Sequence, residues 1–409
     1  MNLNLLPEDR LCLYLAQAHL NDQARDQVLA LLARKLRWES IIAQVYSNEV
    51  FPLVYRNLRE LRFFCVPQQV HDEVESRFRI NALRNRLLAE QLAQVLRALH
   101  QSGIQAIPWK GVYLAETLYG DLDLRVCADL DLLVPRRQVP EAFDRVVSEG
   151  FHAEVPRWFL SDRVRANSFE VALLRMDRSF AYRIELHWGL LWEEFAEEGS
   201  IRDLWQKSGT AMFLDVPVRS LSREWLLLSL AVHAYRHNWQ GLKWLVDIHE
   251  ICRRGNLDWG LLAATTTALG WDRLVRQTLN VCHMLLDTPI PKECLQEATP
   301  VRTPLYPTRP RFSNPAWNTV LAVRMTKRPS HMVRFFLRRL LVPTVSDAQM
   351  FQLPQSLGFL YYWLRPVRLL YISSSLILQA ILRGIVRFSR GLRGWRSPAL
   401  LKPNGTHPI

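Results

Sequence analysis

The sequence predicts an α+β protein, a small mixed sheet wrapped by N- and C-terminal helical regions. Three observations predict it. Apolar residues recur at helical spacing before residue 100 and again from Arg223 to Ala268. Between these stretches the pattern shifts to short apolar runs broken by Gly, Pro and Asp, the texture of strands and turns. The 409 residues are 49% hydrophobic and 22% charged, enough for roughly two to three domains with a packed core. That composition excludes a mostly disordered or a collagen-like chain.

Residues 5–60 read as helices; Leu31, Leu32, Leu36, Trp38, Ile41 and Ile42 fall roughly on one face. A longer helix is predicted from about His71 to His100. Leu83, Leu87, Leu88, Leu92, Val95, Leu96 and Leu99 form its stripe, and Gly103 ends it. A short strand follows at Ile104 to Trp109, then Lys110-Gly111, then one or two helical turns from Val112 to Tyr119 closed by Gly120. After a polar stretch, Asp129 to Val134 reads as a strand stopped by Pro135, and Pro140 to Gly150 as an amphipathic helix. Phe169 to Arg175 and Ser179 to Trp188 read as two more strands around a turn at Met176-Asp-Arg178. Six segments result: a helical region over 1–100, a mixed core over 101–215, a helical domain over 216–296, a Pro/Thr/Arg-rich linker over 297–318, a basic helical region over 319–396 and a frayed tail over 397–409.

Charge is unevenly placed. The net charge is +13, yet residues 301–409 hold 17 Lys or Arg against one acid, Asp347, so the first 300 residues are slightly acidic. The body is therefore not a general polyanion binder. Six cysteines stand at 12, 65, 127, 252, 282 and 294, with no CxxC or Cys/His metal spacing, which points to a reducing compartment. The opening MNLNLLPEDR lacks the layout of a secretory signal. Leu369 to Leu382 is apolar but includes three serines and a Gln, too short for the roughly 20 residues of a spanning helix. A cytoplasmic location is expected. The apolar runs of the tail first suggest packing. Second comes contact with the anionic inner face of a membrane, through Arg365, Arg368, Arg383, Arg387, Arg390 and Arg393; nucleic acid ranks lower.

Asp129 and Asp131 are two apart on a predicted strand, so both carboxylates point to one face. Side by side they repel unless a cation neutralises them, and hard oxygen ligands suit Mg²⁺ or Mn²⁺. Taken alone, the pair describes a solvated strand end equally well. Glu185, in the apolar Arg183-Ile-Glu-Leu-His-Trp188, adds a third acid, with His187 on its face; the rival reading pairs Glu185 with Arg183. A strand, Lys110-Gly111 and a helix start bring a cation and backbone N–H groups to one place, an arrangement for phosphate. Arg125, in the preceding loop, is a second cation for phosphate. Further along, His233, Lys243 and Asp247 are accessory candidates: His233 with Asp247 facing the cleft, or Asp247 merely paired with Lys243 at i, i+4. His233 and His237 lack the Glu of a zinc-protease helix. Trp109 beside Lys110 reads as packing before base stacking.

In this order the residues resemble the polymerase-β-like nucleotidyltransferase superfamily and, more closely, the bacterial group of uncharacterised nucleotidyltransferases. The likeness rests on Lys110-Gly111, on Arg125 to Val134, on Ser148-Glu-Gly-Phe151, on Ile184 to Trp188, and on His233 and Leu242 to Asp247, and it runs over roughly residues 5–290. Two departures stand out: Lys-Gly replaces the usual Gly-Ser, and Asp-Leu-Asp-Leu occurs twice, at 121–124 and 129–132. The second copy is the candidate, because Leu132-Leu-Val134 follows it and Arg125 precedes it. The resemblance implies a Mg²⁺- or Mn²⁺-dependent transfer of a nucleoside monophosphate from a nucleoside triphosphate to a hydroxyl acceptor, small molecule or protein, with pyrophosphate leaving. Asp129, Asp131 and Glu185 would hold metal; Lys110, Gly111 and Arg125 would take phosphate charge. The alternative on the same fold is an inactive nucleotide-binding or membrane-surface protein. On this reading Asp131→Asn abolishes metal-dependent binding or turnover with little loss of stability, since one of two crowded carboxylates is removed.

Overall fold

Helices packed around a five-stranded mixed sheet build the body of the protein, in a computed structural model that describes residues 5–153, 155–161, 168–178, 180–191, 198–295, 329–351 and 353–372. The chain divides into two compact units, residues 1–336 and 337–409. In the first unit, α1 (Pro7–Leu15), α2 (Asp22–Leu32), α3 (Trp38–Ser47) and α4 (Phe51–Glu60) lead to α5 (Gln68–Gln101), a helix of 34 residues. Its inward stripe holds Leu88, Leu92, Val95, Leu96 and Leu99 as expected, and departs from expectation at its start. Leu83 is 62% exposed, while Asn81 and Asn85 are buried, because their amides serve backbone carbonyls of a neighbouring loop.

The sheet elements follow: β1 (Ile107–Pro108), α6 (Gly111–Leu114) with a π turn at Ala115–Tyr119, β2 (Leu130–Leu133), α7 (Val139–Ser148), β3 (His152–Ala153), β4 (Glu170–Asp177) and β5 (Phe180–His187). The sheet order is β1-β2-β5-β4-β3. β2 and β5 are parallel; the other pairs are antiparallel. The mixed sheet is thus present, shorter at β1 than Ile104 to Trp109 predicted. β4 and β5 join through a tight turn in which Arg178 takes φ 52°, near the Met176-Asp-Arg178 turn expected. β2 buries all four residues, which is why Leu130-Asp-Leu-Leu reads as an apolar run rather than an alternation.

After α8 (Glu198–Gln206) comes a hairpin that the sequence did not announce, β6 (Gly209–Phe213) and β7 (Val216–Ser220), with Leu214 at φ 51° in its turn. Then α9 (Arg223–Arg236), α10 (Leu242–Arg253), α11 (Trp259–Leu269) and α12 (Asp272–Leu286) pack as a helical group. Ser222 and Asp258 cap α9 and α11 through Trp225 N and Leu261 N. One apolar core runs from Leu11 through Ile107, Leu133 and Trp225 to Phe335, so the segments over 1–100, 101–215 and 216–296 share it.

Helix α13 (Pro329–Leu341) carries Phe335 into that core. In the second unit, α14 (Val345–Phe351) and the helix over 361–372, α15, enclose Asp347. Its carboxylate accepts from Arg365 at 2.6 Å, from Arg368 at 2.8 Å and from the Thr344 backbone N–H at 2.7 Å. The sole acid of the C-terminal quarter is therefore the centre of a buried knot, and Arg365, 4% exposed, packs into it, the first reading for this region rather than the membrane-facing one. Arg368 is likewise committed to Asp347. Arg383, Arg387, Arg390, Arg393 and most of Leu369 to Leu382 lie outside the described residues, as does the 297–318 linker. Among the described residues no helix is long and apolar enough to cross a membrane.

Candidate metal and nucleotide site

The Lys110-Gly111 turn is built by conformation as much as by charge. Gly111 takes φ +55°, and a Cβ there would stand 2.8 Å from the carbonyl oxygen of Asp129. Only glycine lets the start of α6 lie against the chain that enters β2. Gly111→Ala is expected to lower stability by about 1–3 kcal/mol; a urea-melt difference below a few tenths of that would contradict the close approach.

β2 and β5 then fix the acids. In the parallel register Asp131 faces Glu185 and Leu133 faces His187. Asp131 is 3% exposed. Its Oδ1 lies 2.5 Å from Lys110 Nζ and 3.0 Å from His187 Nε2. Glu185 Oε2 is 3.6 Å from the same His187 nitrogen, and its Oε1 accepts from Arg183 at 3.1 Å, so the Arg183 pairing and the cluster coexist. Ligand atoms of Asp131, Glu185 and His187 all lie within 4.8 Å of one another, a spacing one metal ion could bridge. His187, not Asp129, completes this group of three. Asp129 sits one residue before β2, where strand alternation does not govern its direction.

Electrostatics tie the clustered acids and Lys110 together. Burial pushes the Asp131 carboxyl up, but the Lys110 ammonium and the His187 bond outweigh it and hold it below the ordinary range. Burial and the neighbouring Asp131 charge raise Asp129. Burial, Glu170 and Asp131 raise Glu185. Burial alone would lower Lys110, yet Asp131, Asp129 and Glu185 more than reverse it. Lys110 thus neutralises the acids, where the sequence had placed it on phosphate. The expected relief on removing Asp131 is corrected by the same contact: that carboxylate is the direct partner of a buried ammonium.

Arg125 differs most from expectation. It is 5% exposed, and its Nε and Nη2 donate to both oxygens of Asp247 at 2.9–3.3 Å, while Tyr119 donates to Asp247 Oδ1 at 2.8 Å. The Arg125 carbonyl accepts from Asn81 and Asn85. Arg125 is a brace for the loop before β2 rather than a group open to phosphate. Lys243 does not make the i, i+4 pair; its ammonium reaches Glu49 at 2.7 Å and the Val126 carbonyl at 3.1 Å. It ties α10 to the same loop. His233 packs against His237 and the edge of Trp244, not Asp247. Burial, then the Lys110 charge, keeps its imidazole well below the usual range and hence neutral.

One residue of the cluster was missed. Glu170, in register with His187 on β4, brings Oε2 to 3.2 Å from His187 Nδ1. The sequence signal was only an acid at a strand start. Trp109, 4% exposed, meets His187 in a T-shaped contact and lies under the Lys110 ammonium, so packing is its role. A cleft of about 290 Å³ is lined by Trp109, Tyr113, Ser220, Arg223 and Arg254, but by none of the clustered acids.

A mixed sheet with in-register acids on parallel neighbours, a Lys-Gly turn packed on the first strand and a histidine beside both acids fits a protein of nucleotidyl-transfer type. The chain belongs to the uncharacterised nucleotidyltransferase family, whose profile matches residues 34–287. No curated protein and no solved structure matches it.

Proposed function

We propose that the protein is a metal-dependent nucleotidyltransferase. A hydroxyl oxygen of the acceptor attacks the α-phosphorus of a nucleoside triphosphate, a new P–O bond forms, and the bond to pyrophosphate breaks. The acceptor is a small hydroxyl-bearing molecule or a protein side chain. The observation that carries the reading is the Asp131–Glu185–His187 cluster beside Lys110, in a chain of this family.

Asp131, Glu185 and His187 would hold a divalent ion, which supplies positive charge to the phosphates and lowers the pKa of the acceptor hydroxyl. Asp129 adds a third carboxylate to the same field, close enough to Lys110 and Asp131 to be perturbed by both. Lys110 offers the cation that balances them; a bound ion would share the Asp131 carboxylate with its ammonium, and Lys110 would then be placed to take phosphate charge. Gly111, at φ +55°, gives the turn the room in which the Asp129 carbonyl approaches it.

One observation favours the rival, a nucleotide binder without turnover: Lys110 already sits on Asp131, where a metal would be held. Pyrophosphate release, screened with each nucleoside triphosphate against pooled metabolites and proteins, separates the two. Transfer predicts release that depends on added divalent ion and falls by about 10²–10³-fold in Glu185→Gln. A thermal shift by nucleotide that needs no ion, with no pyrophosphate under any condition, would establish the binder instead.

A further inference from the structure

The cluster differs from an all-carboxylate site in one donor, and that donor is buried and held at both ring nitrogens. His187 is 2% exposed. Trp109 and its ring meet in a T-shaped contact at 5.6 Å between centroids, and Phe169 stacks on it at 6.5 Å. Both ring nitrogens face carboxylates: Nδ1 meets Glu170 at 3.2 Å, and Nε2 meets Asp131 at 3.0 Å and Glu185 at 3.6 Å. Nε2 is directed at the Asp131 and Glu185 carboxylates, so what that nitrogen can meet is a group shared with those two acids. What the cluster offers is an outer carboxylate, an imidazole and two inner carboxylates in line, the arrangement that orients a metal-binding histidine from behind. The strand register builds it: Glu170 and His187 are partners across β4 and β5, and Asp131 and Glu185 are partners across β2 and β5.

We propose that this site takes a first-row transition-metal ion, Mn²⁺ in type, through Asp131, Glu185 and His187 Nε2, in preference to Mg²⁺, and that Glu170 is the residue that positions His187 for it. The inference rests on the reading above only in supposing that an ion binds. Mg²⁺ asks for oxygen donors in a near-ideal octahedron and keeps several waters. Mn²⁺ shares the preference of Mg²⁺ for carboxylate oxygens, which Asp131 and Glu185 supply, but as a transition-metal ion it accepts a nitrogen donor fixed among buried side chains more readily than Mg²⁺ does. The sequence expectation named Mg²⁺ first because it counted three carboxylates. The structure replaces one of them with an imidazole in the group that can share an ion.

The test titrates Mn²⁺ and Mg²⁺, each alone, into the full-length protein by calorimetry, and records pulsed electron paramagnetic resonance of the Mn²⁺ form. Mn²⁺ is expected to bind at least about tenfold more tightly than Mg²⁺. Its spectrum is expected to show coupling to a directly bound imidazole nitrogen. His187→Gln should abolish that coupling and weaken Mn²⁺ binding about 10–100-fold, whereas Glu170→Gln should weaken it about tenfold and keep the coupling. Equal affinities for the two ions, no Mn²⁺ binding, or bound Mn²⁺ without nitrogen coupling overturns the proposal. The spectrum is read on the unsubstituted protein, so a variant that fails to fold cannot decide the matter. No nucleotide enters the experiment: nitrogen-bound Mn²⁺ in a protein that releases no pyrophosphate supports this proposal and overturns the transfer reading alone.

Discussion

Asp131→Asn is expected, on the function proposed above, to lower pyrophosphate release by at least about 10²–10³-fold, and to destabilise the fold as well. Both effects come from one contact. The carboxylate is the shared oxygen source for Lys110 and His187, with its side chain 1% exposed. Asparagine offers no charge to a buried ammonium. Breaking a buried pair costs about 3–5 kcal/mol, and the loss here should fall towards the low end, because Asp129 and Glu185 still act on Lys110. The pH dependence has a definite sign. Asp131 is depressed in the folded state, so its contribution is fully present above the unfolded carboxyl value of about 4 and is lost as pH falls towards the folded value. Wild type and variant should therefore converge progressively in urea melts below about pH 4. A variant as stable as wild type at pH 7 would show that crowding of carboxylates outweighs the Lys110 pair.

The second large effect lies outside the cluster. Arg125→Met is expected to cost about 3–5 kcal/mol, because Asp247, 0% exposed, is then left with Tyr119 and no cation. Asp247→Asn should cost a comparable amount by stranding the guanidinium. Replacing both, as Arg125→Met with Asp247→Leu, should recover much of the loss, since a buried pair exchanged for apolar groups is often nearly neutral. The coupling between the two sites is then read from the double-mutant cycle. Were Arg125 an exposed phosphate ligand, Arg125→Met would change stability by less than about 0.5 kcal/mol.

These two sites mark how far local sequence reasoning reaches. Asp131 and Glu185 were legible because each stands in a short apolar run where an unpaired acid would be costly, and strand spacing relates them to their neighbours. Glu170 was not legible: nothing in Ser168-Phe-Glu-Val171 distinguishes it, and its meaning arises only from the β4–β5 register. Asn81 and Asn85 were hidden for the opposite reason. A helical stripe is read from apolar residues, and here two amides occupy the buried positions while Leu83 faces solvent.

By itself the sequence determined the α+β class, the mixed central segment between helical regions, the Lys-Gly turn, and Asp131 and Glu185 as candidate site residues with His187 on the face of Glu185. Each of these depends on periodicity or on residues close in the chain, where backbone geometry leaves little choice. The tertiary structure alone decided which cations meet which acids. Lys110 went to Asp131, Arg125 to Asp247 and Lys243 to Glu49, across separations in sequence that no spacing rule constrains. Burial sets that outcome: a charge removed from water must find the partner its fold brings near, and that partner is named by packing rather than by proximity along the chain.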